Sequence, residues 1–188
     1  MAIKIYIDQG HNPVNPNAGA EGNGIREQDV VYTIGQELAA LLRNDDRFDV
    51  KLSRPTPNTQ LGVSNTTSLA ARVNDANSWG ADYFISLHTN ASDISSASGS
   101  EAFAYSRTSE GFALGERILY WLNNITGLTN RGVFARPGLY ILRKTQMPSV
   151  LVELGFITNY YDANLMNTRP DLFARGVYYG LLDYFGLL

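Results

Sequence analysis

Cysteine is missing from this chain of 188 residues, and histidine occurs only twice. Without cysteine there is no disulfide framework, no thiolate metal site and no cysteine nucleophile. Any bound metal must then be held by histidine and carboxylate groups. A long apolar run is also lacking, which leaves no candidate for a membrane-spanning helix. Basic residues form no run and are outnumbered, 15 against 18 acidic, for a net charge of −3. Nucleic acid is therefore not the expected partner. Gly-rich "GAEGNG" invites comparison with a phosphate loop, but GxGxxG and the Walker Lys-Ser/Thr pair are absent, which excludes the usual nucleotide sites. No GxSxG occurs either, so the serine-hydrolase elbow is excluded.

What remains is the composition of a globule, 44% hydrophobic and 18% charged, in a length suited to one domain. "MAIKIYID" alternates as a strand does and lacks the charged start and apolar core of a secretory leader. The chain is expected either to avoid that export route or to have lost its leader. A turn-rich loop, "GHNPVNPNAGAEGNG", follows. Val30, Ile34, Leu38 and Leu41 then recur at helical spacing, as do Leu69, Val73 and Ala76 further on. Between and after these helices, "FDVKLSR" and Tyr83–Leu87 read as strands, and "SEAFAYS" as a strand at a sheet edge. A helix is predicted over Glu110–Asn124, strands over "GLYILRKTQ" and "PSVLVELGF", and a closing helix that Pro170 begins. Strands alternating with helices predict an α/β fold. It is a single domain over residues 1–188, with a mostly parallel mixed sheet of about six strands and helices on both faces.

Both histidines stand at strand exits, His11 after "IKIYIDQG" and His88 after "DYFISL", and Glu153 stands near the end of the apolar "SVLVELGF". Ligands of open parallel sheets gather beyond the carboxyl ends of the strands. If these three strands are neighbours, the three side chains converge there. Two imidazoles and a carboxylate make a ligand set for catalytic zinc, which keeps a fourth position for water. A second carboxylate is needed to complete the ligands or to act as base. Glu27, which opens the first helix behind the Gly-rich loop, is the best candidate. HExxH is absent, so the ligands must come from separate elements.

Four ordered segments, "IYIDQGHN", "GAEGNGIRE", "DYFISLHTNA" and "MPSVLVELGFITN", with "LSR", "AARVNDAN" and "RGV" between them, carry a resemblance. Over essentially its whole length the chain resembles the zinc-dependent N-acetylmuramoyl-L-alanine amidases of bacterial autolysins and phage endolysins. The resemblance implies one Zn²⁺ held by His11, Glu27 and His88, with Glu153 as the catalytic carboxylate. It implies peptidoglycan as substrate, cleaved between the lactyl group of N-acetylmuramic acid and L-alanine, and action at the bacterial cell wall. The first motif departs from the common Gly-His-Gly-Gly, since Asn12-Pro13 follows His11. Some relatives carry an inserted helix that plugs the site. The short links "SDISSASGS" and "NYYDANL" leave little room for one, so an open site is expected.

Asp8 is a candidate for orienting a ligand imidazole, or else a structural cap. Asn90 and Arg131 are candidates for binding substrate, Arg131 at a carboxylate of the peptide. A monomer is expected. Two rival readings stay open: a zinc peptidase or carboxypeptidase-like enzyme using the same ligands on another amide, and a catalytically silent wall-binding module.

Overall fold

The computed structural model describes residues 2–188. The chain order is β1 (Ile3–Gln9), a small hairpin of β2 (Glu21–Gly22) and β3 (Ile25–Arg26), α1 (Glu27–Arg43), β4 (Phe48–Leu52), α2 (Asn65–Trp79) and β5 (Tyr83–Asn90). Then come β6 (Ser100–Ala104), α3 (Glu110–Thr126), β7 (Asn130–Ala135), α4 (Tyr140–Lys144), β8 (Ser149–Phe156), α5 (Tyr160–Thr168) and α6 (Pro170–Tyr184). Six strands form one sheet in the order β4-β1-β5-β8-β6-β7. The first four are parallel, and β6 runs antiparallel to β8 and parallel to β7.

The central strands are near-continuous apolar runs because both of their faces are covered. Ile5, Ile7, Ile85, Leu87, Val150 and Val152 point to one side, into a large core with α1, α3 and α6. Tyr6, Phe84 and Leu151 point to the other, where they meet Val73 and Ala76 of α2 and Ile141 and Leu142 of α4. Ser64 and Thr67 close a reciprocal capping box at the start of α2, and Gly80 ends it in the left-handed conformation. The connection from β1 through α1 leads outward to β4, and the next, through α2, crosses back to β5. The chain therefore changes direction between β1 and β5, the crevice where sheets of this kind bind ligands.

The fold class agrees with expectation, and several elements do not. "GLYILRKTQ" contains the short helix α4 rather than a strand; its buried pair, Ile141 and Leu142, is consecutive and so carries neither period. The strand of that region is β7, a few residues earlier. β6 is not an edge: it lies between β8 and β7, and β7 is the edge. "NYYDANL" is not a link but the body of α5, capped by Asn159. His88 lies within β5, which runs on to Asn90.

Candidate metal centre

β1, β5 and β8 are adjacent and parallel, with Asp8 beside Ser86 and His88 beside Glu153. Neighbouring strands lie about 4.8 Å apart, so residues distant in sequence meet at one rim. His11 follows β1 after the sharp bend at Gly10. A Cβ at Gly10 would fall 2.5 Å from His88 Cε1 and 2.7 Å from the Leu87 carbonyl, so glycine is required for the two histidine segments to approach. His11 itself has φ +66°, a left-handed conformation that costs a side-chain-bearing residue about 1–2 kcal/mol. Glu27 arrives from the other direction. The β2–β3 hairpin turns the chain back, the Glu27 N–H donates to the Ala20 carbonyl at 2.9 Å, and α1 begins.

Glu27 is almost fully buried and its carboxylate joins the two imidazoles. Oε2 lies 3.1 Å from His11 Nε2 and Oε1 lies 3.0 Å from His88 Nδ1. Backbone N–H groups of Ala20 and Thr89 donate to the same two oxygens, each at 2.9 Å. Burial alone would raise the Glu27 carboxyl's pKa, but the contacts with His11 and His88 outweigh it and hold it far below the usual carboxylate range. The ligand atoms of His11, Glu27 and His88 all lie within 4.8 Å of one another. Two atoms each bonded to a tetrahedral zinc at about 2.0–2.1 Å stand about 3.3 Å apart, so the contacts of Glu27 with both histidines are near the spacing a metal would impose. A metal ion fits this group. Both imidazoles stay partly open to solvent, with side-chain exposures of 20% for His11 and 18% for His88. Residues 92–99 form an irregular loop.

Glu153 is unlike Glu27. Its Oε2 is buried with no hydrogen-bond partner. Burial first, then the charges of Glu27 and Glu101, raise its pKa to about 8. A buried carboxyl oxygen without a partner is expensive to retain, and such groups mark functional sites. Glu101 faces it across the antiparallel pair of β6 and β8. Asn90 Nδ2 donates to Glu101 Oε1 at 2.5 Å, and Arg131 Nε approaches Glu101 Oε2 at 3.5 Å. The structure thus brings Asn90 and Arg131 to the corner that holds Glu153.

Asp8 hydrogen-bonds neither imidazole. Its oxygens accept from Arg72 Nη1 at 2.5 Å and from Ser86 Oγ at 2.8 Å. Arg72 is the residue that sequence reasoning missed. It is 1% exposed, and besides Asp8 it donates to the backbone carbonyls of Gln9, at 2.6 Å, and of His11. One guanidinium therefore ties down the backbone on both sides of Gly10. Its signal was available: Arg72 falls on the buried stripe of Leu69, Val73 and Ala76, where a charge demands a partner. A cavity of about 170 Å³ opens beside His11 and His88 toward Leu69, Leu139, Tyr140 and Leu151. The larger hollow, about 760 Å³ between the β2–β3 hairpin, α1 and α5, touches none of the four residues.

Residues 5–183 of the chain match the family described as N-acetylmuramoyl-L-alanine amidase. The chain belongs to this family of hydrolases. Among its relatives, the amidase LytC of Bacillus subtilis is 36% identical over 96% of this chain and 35% of LytC. The amidase CwlM of Bacillus licheniformis is 33% identical over 98% of this chain and 70% of CwlM. The chain thus spans about a third of the length of LytC. In three dimensions the crystal structure of an N-acetylmuramoyl-L-alanine amidase from Clostridium difficile 630 superposes with a TM-score of 0.88 at 26% identity, covering 98% of this chain and 97% of the other.

Proposed function

We propose that residues 1–188 form one catalytic unit that hydrolyses peptidoglycan at the amide between N-acetylmuramic acid and L-alanine. His11, Glu27 and His88 hold one Zn²⁺, and Glu153 moves the proton. The observation that carries this reading is the pairing of a saturated carboxylate with an unsatisfied one. Glu27 is fully engaged by donors and by both imidazoles, as a ligand's carboxylate must be held, while Glu153 beside it keeps a free buried oxygen.

Zinc bound there supplies Lewis-acid polarisation of the carbonyl and lowers the pKa of water to about 7. The rest falls to the chain's own residues. An amide nitrogen is a poor leaving group until it is protonated. Glu153 accepts a proton from the attacking water and then donates it to that nitrogen, as base first and acid second. A carboxyl poised near neutrality can do both, whereas one with an ordinary pKa is a weaker base toward the attacking water. Arg72 holds the His11 backbone, and Gly10 lets His88 approach, so the ligand set is assembled before substrate arrives. Asn90 and Arg131 line the substrate side of the corner. The enzyme acts as a monomer on the bacterial cell wall.

Metal analysis with mass spectrometry of digested peptidoglycan tests this reading. About one zinc per chain and new free L-alanine amino termini are expected. Glu153→Gln should keep the zinc and lose activity about 10²–10⁴-fold, the range that general acid–base groups supply. Cuts within the peptide would favour the peptidase reading instead. Intact walls and a metal-free protein would favour a binding module. Full turnover by a zinc-loaded Glu153→Gln would remove Glu153 from the mechanism.

A further inference from the structure

β6 buries one face fully and the other in part, and β7 beside it is more exposed still. Ala102 and Ala104 of β6 are fully buried toward α3, and Val133 of β7 packs close to Gly115 of that helix. The opposite face carries Glu101 and Phe103 of β6 and, in register with them, Gly132 and Phe134 of β7. That face is covered only in part: Phe103 packs against the second core cluster, while Phe134 keeps 44% of its surface exposed. The Phe103 and Phe134 rings stand 6.4 Å apart and tilted. The Arg136 guanidinium lies 5.3 Å above Phe103, and its backbone N–H is tied to the Ala104 carbonyl at 2.8 Å. Four cations, Arg131, Arg136, Arg143 and Lys144, fall within residues 131–144 with no acidic residue among them. Among the described residues only Arg131 of these four makes an ion pair, with Glu101.

We propose that this strip seats the stem peptide, with Arg136 binding a carboxylate of a residue beyond the cleaved L-alanine and the Phe103–Phe134 pair supporting the chain. The inference rests on the amidase reading above and names which part of the substrate goes where. Continuity is the first argument. Glu101 is the register partner of Glu153, so the strip begins at the catalytic carboxyl and runs away from it along β6. Alternate strand residues are about 6.6–6.8 Å apart. Phe103 and the guanidinium above it are therefore roughly 10–14 Å from the reacting amide, the span of three or four extended residues. Charge is the second argument. In uncut polymer the muramoyl carboxyl is consumed by the amide and the glycan strand is neutral, whereas the stem carries free carboxylates. Cations without acidic partners therefore select the peptide over the sugar. An arginine stacked on an aromatic ring is held ready for bidentate carboxylate binding.

The test uses a free tetrapeptide stem and two substrates, a muramoyl-tetrapeptide and muramoyl-L-alanine. Calorimetry should show the stem binding to the intact protein, about tenfold weaker in Arg136→Gln and a few-fold weaker in Phe134→Ala. Arg175→Gln, at an exposed arginine of α6 on the far side of the sheet, should match the unmodified protein. Arg136→Gln should raise KM about tenfold for the muramoyl-tetrapeptide while leaving kcat, and KM for muramoyl-L-alanine, unchanged. Equal stem affinity with and without Arg136, no stem binding at all, or an equal rise of KM for both substrates overturns the proposal. Stem binding that depends on Arg136 in a protein that cleaves neither substrate would uphold the surface and refute the reaction.

Discussion

Strands β1, β5 and β8 are covered on both faces, whereas β6 and β7 have a helix on one side only. The covered strands deliver His88, Glu153 and, through Gly10, His11 to the rim. Beneath that rim they bury a complete ion pair, Asp8 with Arg72. The half-covered strands deliver Glu101 to the same rim but leave Phe134 and Arg136 in solvent. A reacting group gains from being dry and fixed, because charges act more strongly in a low-dielectric setting and need no reorganisation there. A polymer-binding strip must instead stay open. One sheet does both because its sixth strand is left partly open, with Phe134 44% exposed.

If that division is right, disturbing the covered half should damage the whole molecule. Arg72→Ala leaves Asp8 buried, ionised and without its main partner; burial would raise that carboxyl's pKa and Arg72 holds it down. Loss of one member of a buried pair costs about 3–5 kcal/mol, and denaturant titration should find a loss of that size. Zinc affinity should fall as well, since the His11 backbone carbonyl loses its donor. A loss below about 1 kcal/mol would mean that the rim holds its shape without the guanidinium.

The covered half was also the legible half. Near-continuous runs such as "IKIYI" and "SVLVEL" announce strands buried on both faces, and a His or Glu at the end of such a run is conspicuous against its apolar neighbours. That is why His11, His88 and Glu153 stood out before any fold was known. Glu27 could be placed only through the Gly-rich loop that turns it back. β7, "NRGVFA", escaped notice because both its ends are exposed and only its middle is partly buried, so it leaves no two-residue pattern. Arg136 gave no signal because its aromatic partner, Phe103, lies on β6, and no local spacing links the two. The partner of Asp8 could not be read in the same way, because Arg72 sits on a helix far along the chain.

A smaller effect should follow from Glu153 in the metal-free protein. Its carboxyl takes up a proton more readily when folded, with a pKa near 8 against an ordinary value of 4.5. Between those values the native state holds more protons than the unfolded one, so this group makes stability fall as pH rises. Above about pH 8 the penalty is complete, because the buried carboxyl must then ionise. Glutamine has nothing to ionise. Melting of the metal-free proteins should therefore show Glu153→Gln gaining over the unmodified chain from about pH 5 to pH 8, with the gain level beyond. A gain that is constant across that range would show that Glu153 is not buried as a neutral acid.

The smallest effect belongs to the open half. Phe134→Ala removes a whole ring, yet the ring is 44% exposed and its nearest aromatic neighbour, Phe103, keeps its packing against the second core cluster. Truncating a surface side chain usually changes stability by no more than about 0.5 kcal/mol, and the melting temperature should barely move. Stem affinity should nevertheless drop. That combination, no stability change with weaker peptide binding, is what distinguishes a recognition surface from a piece of core. A destabilisation of 2 kcal/mol or more, the scale on which buried rings are lost, would show instead that Phe134 closes the fold at its edge, and β7 would then belong with the covered strands.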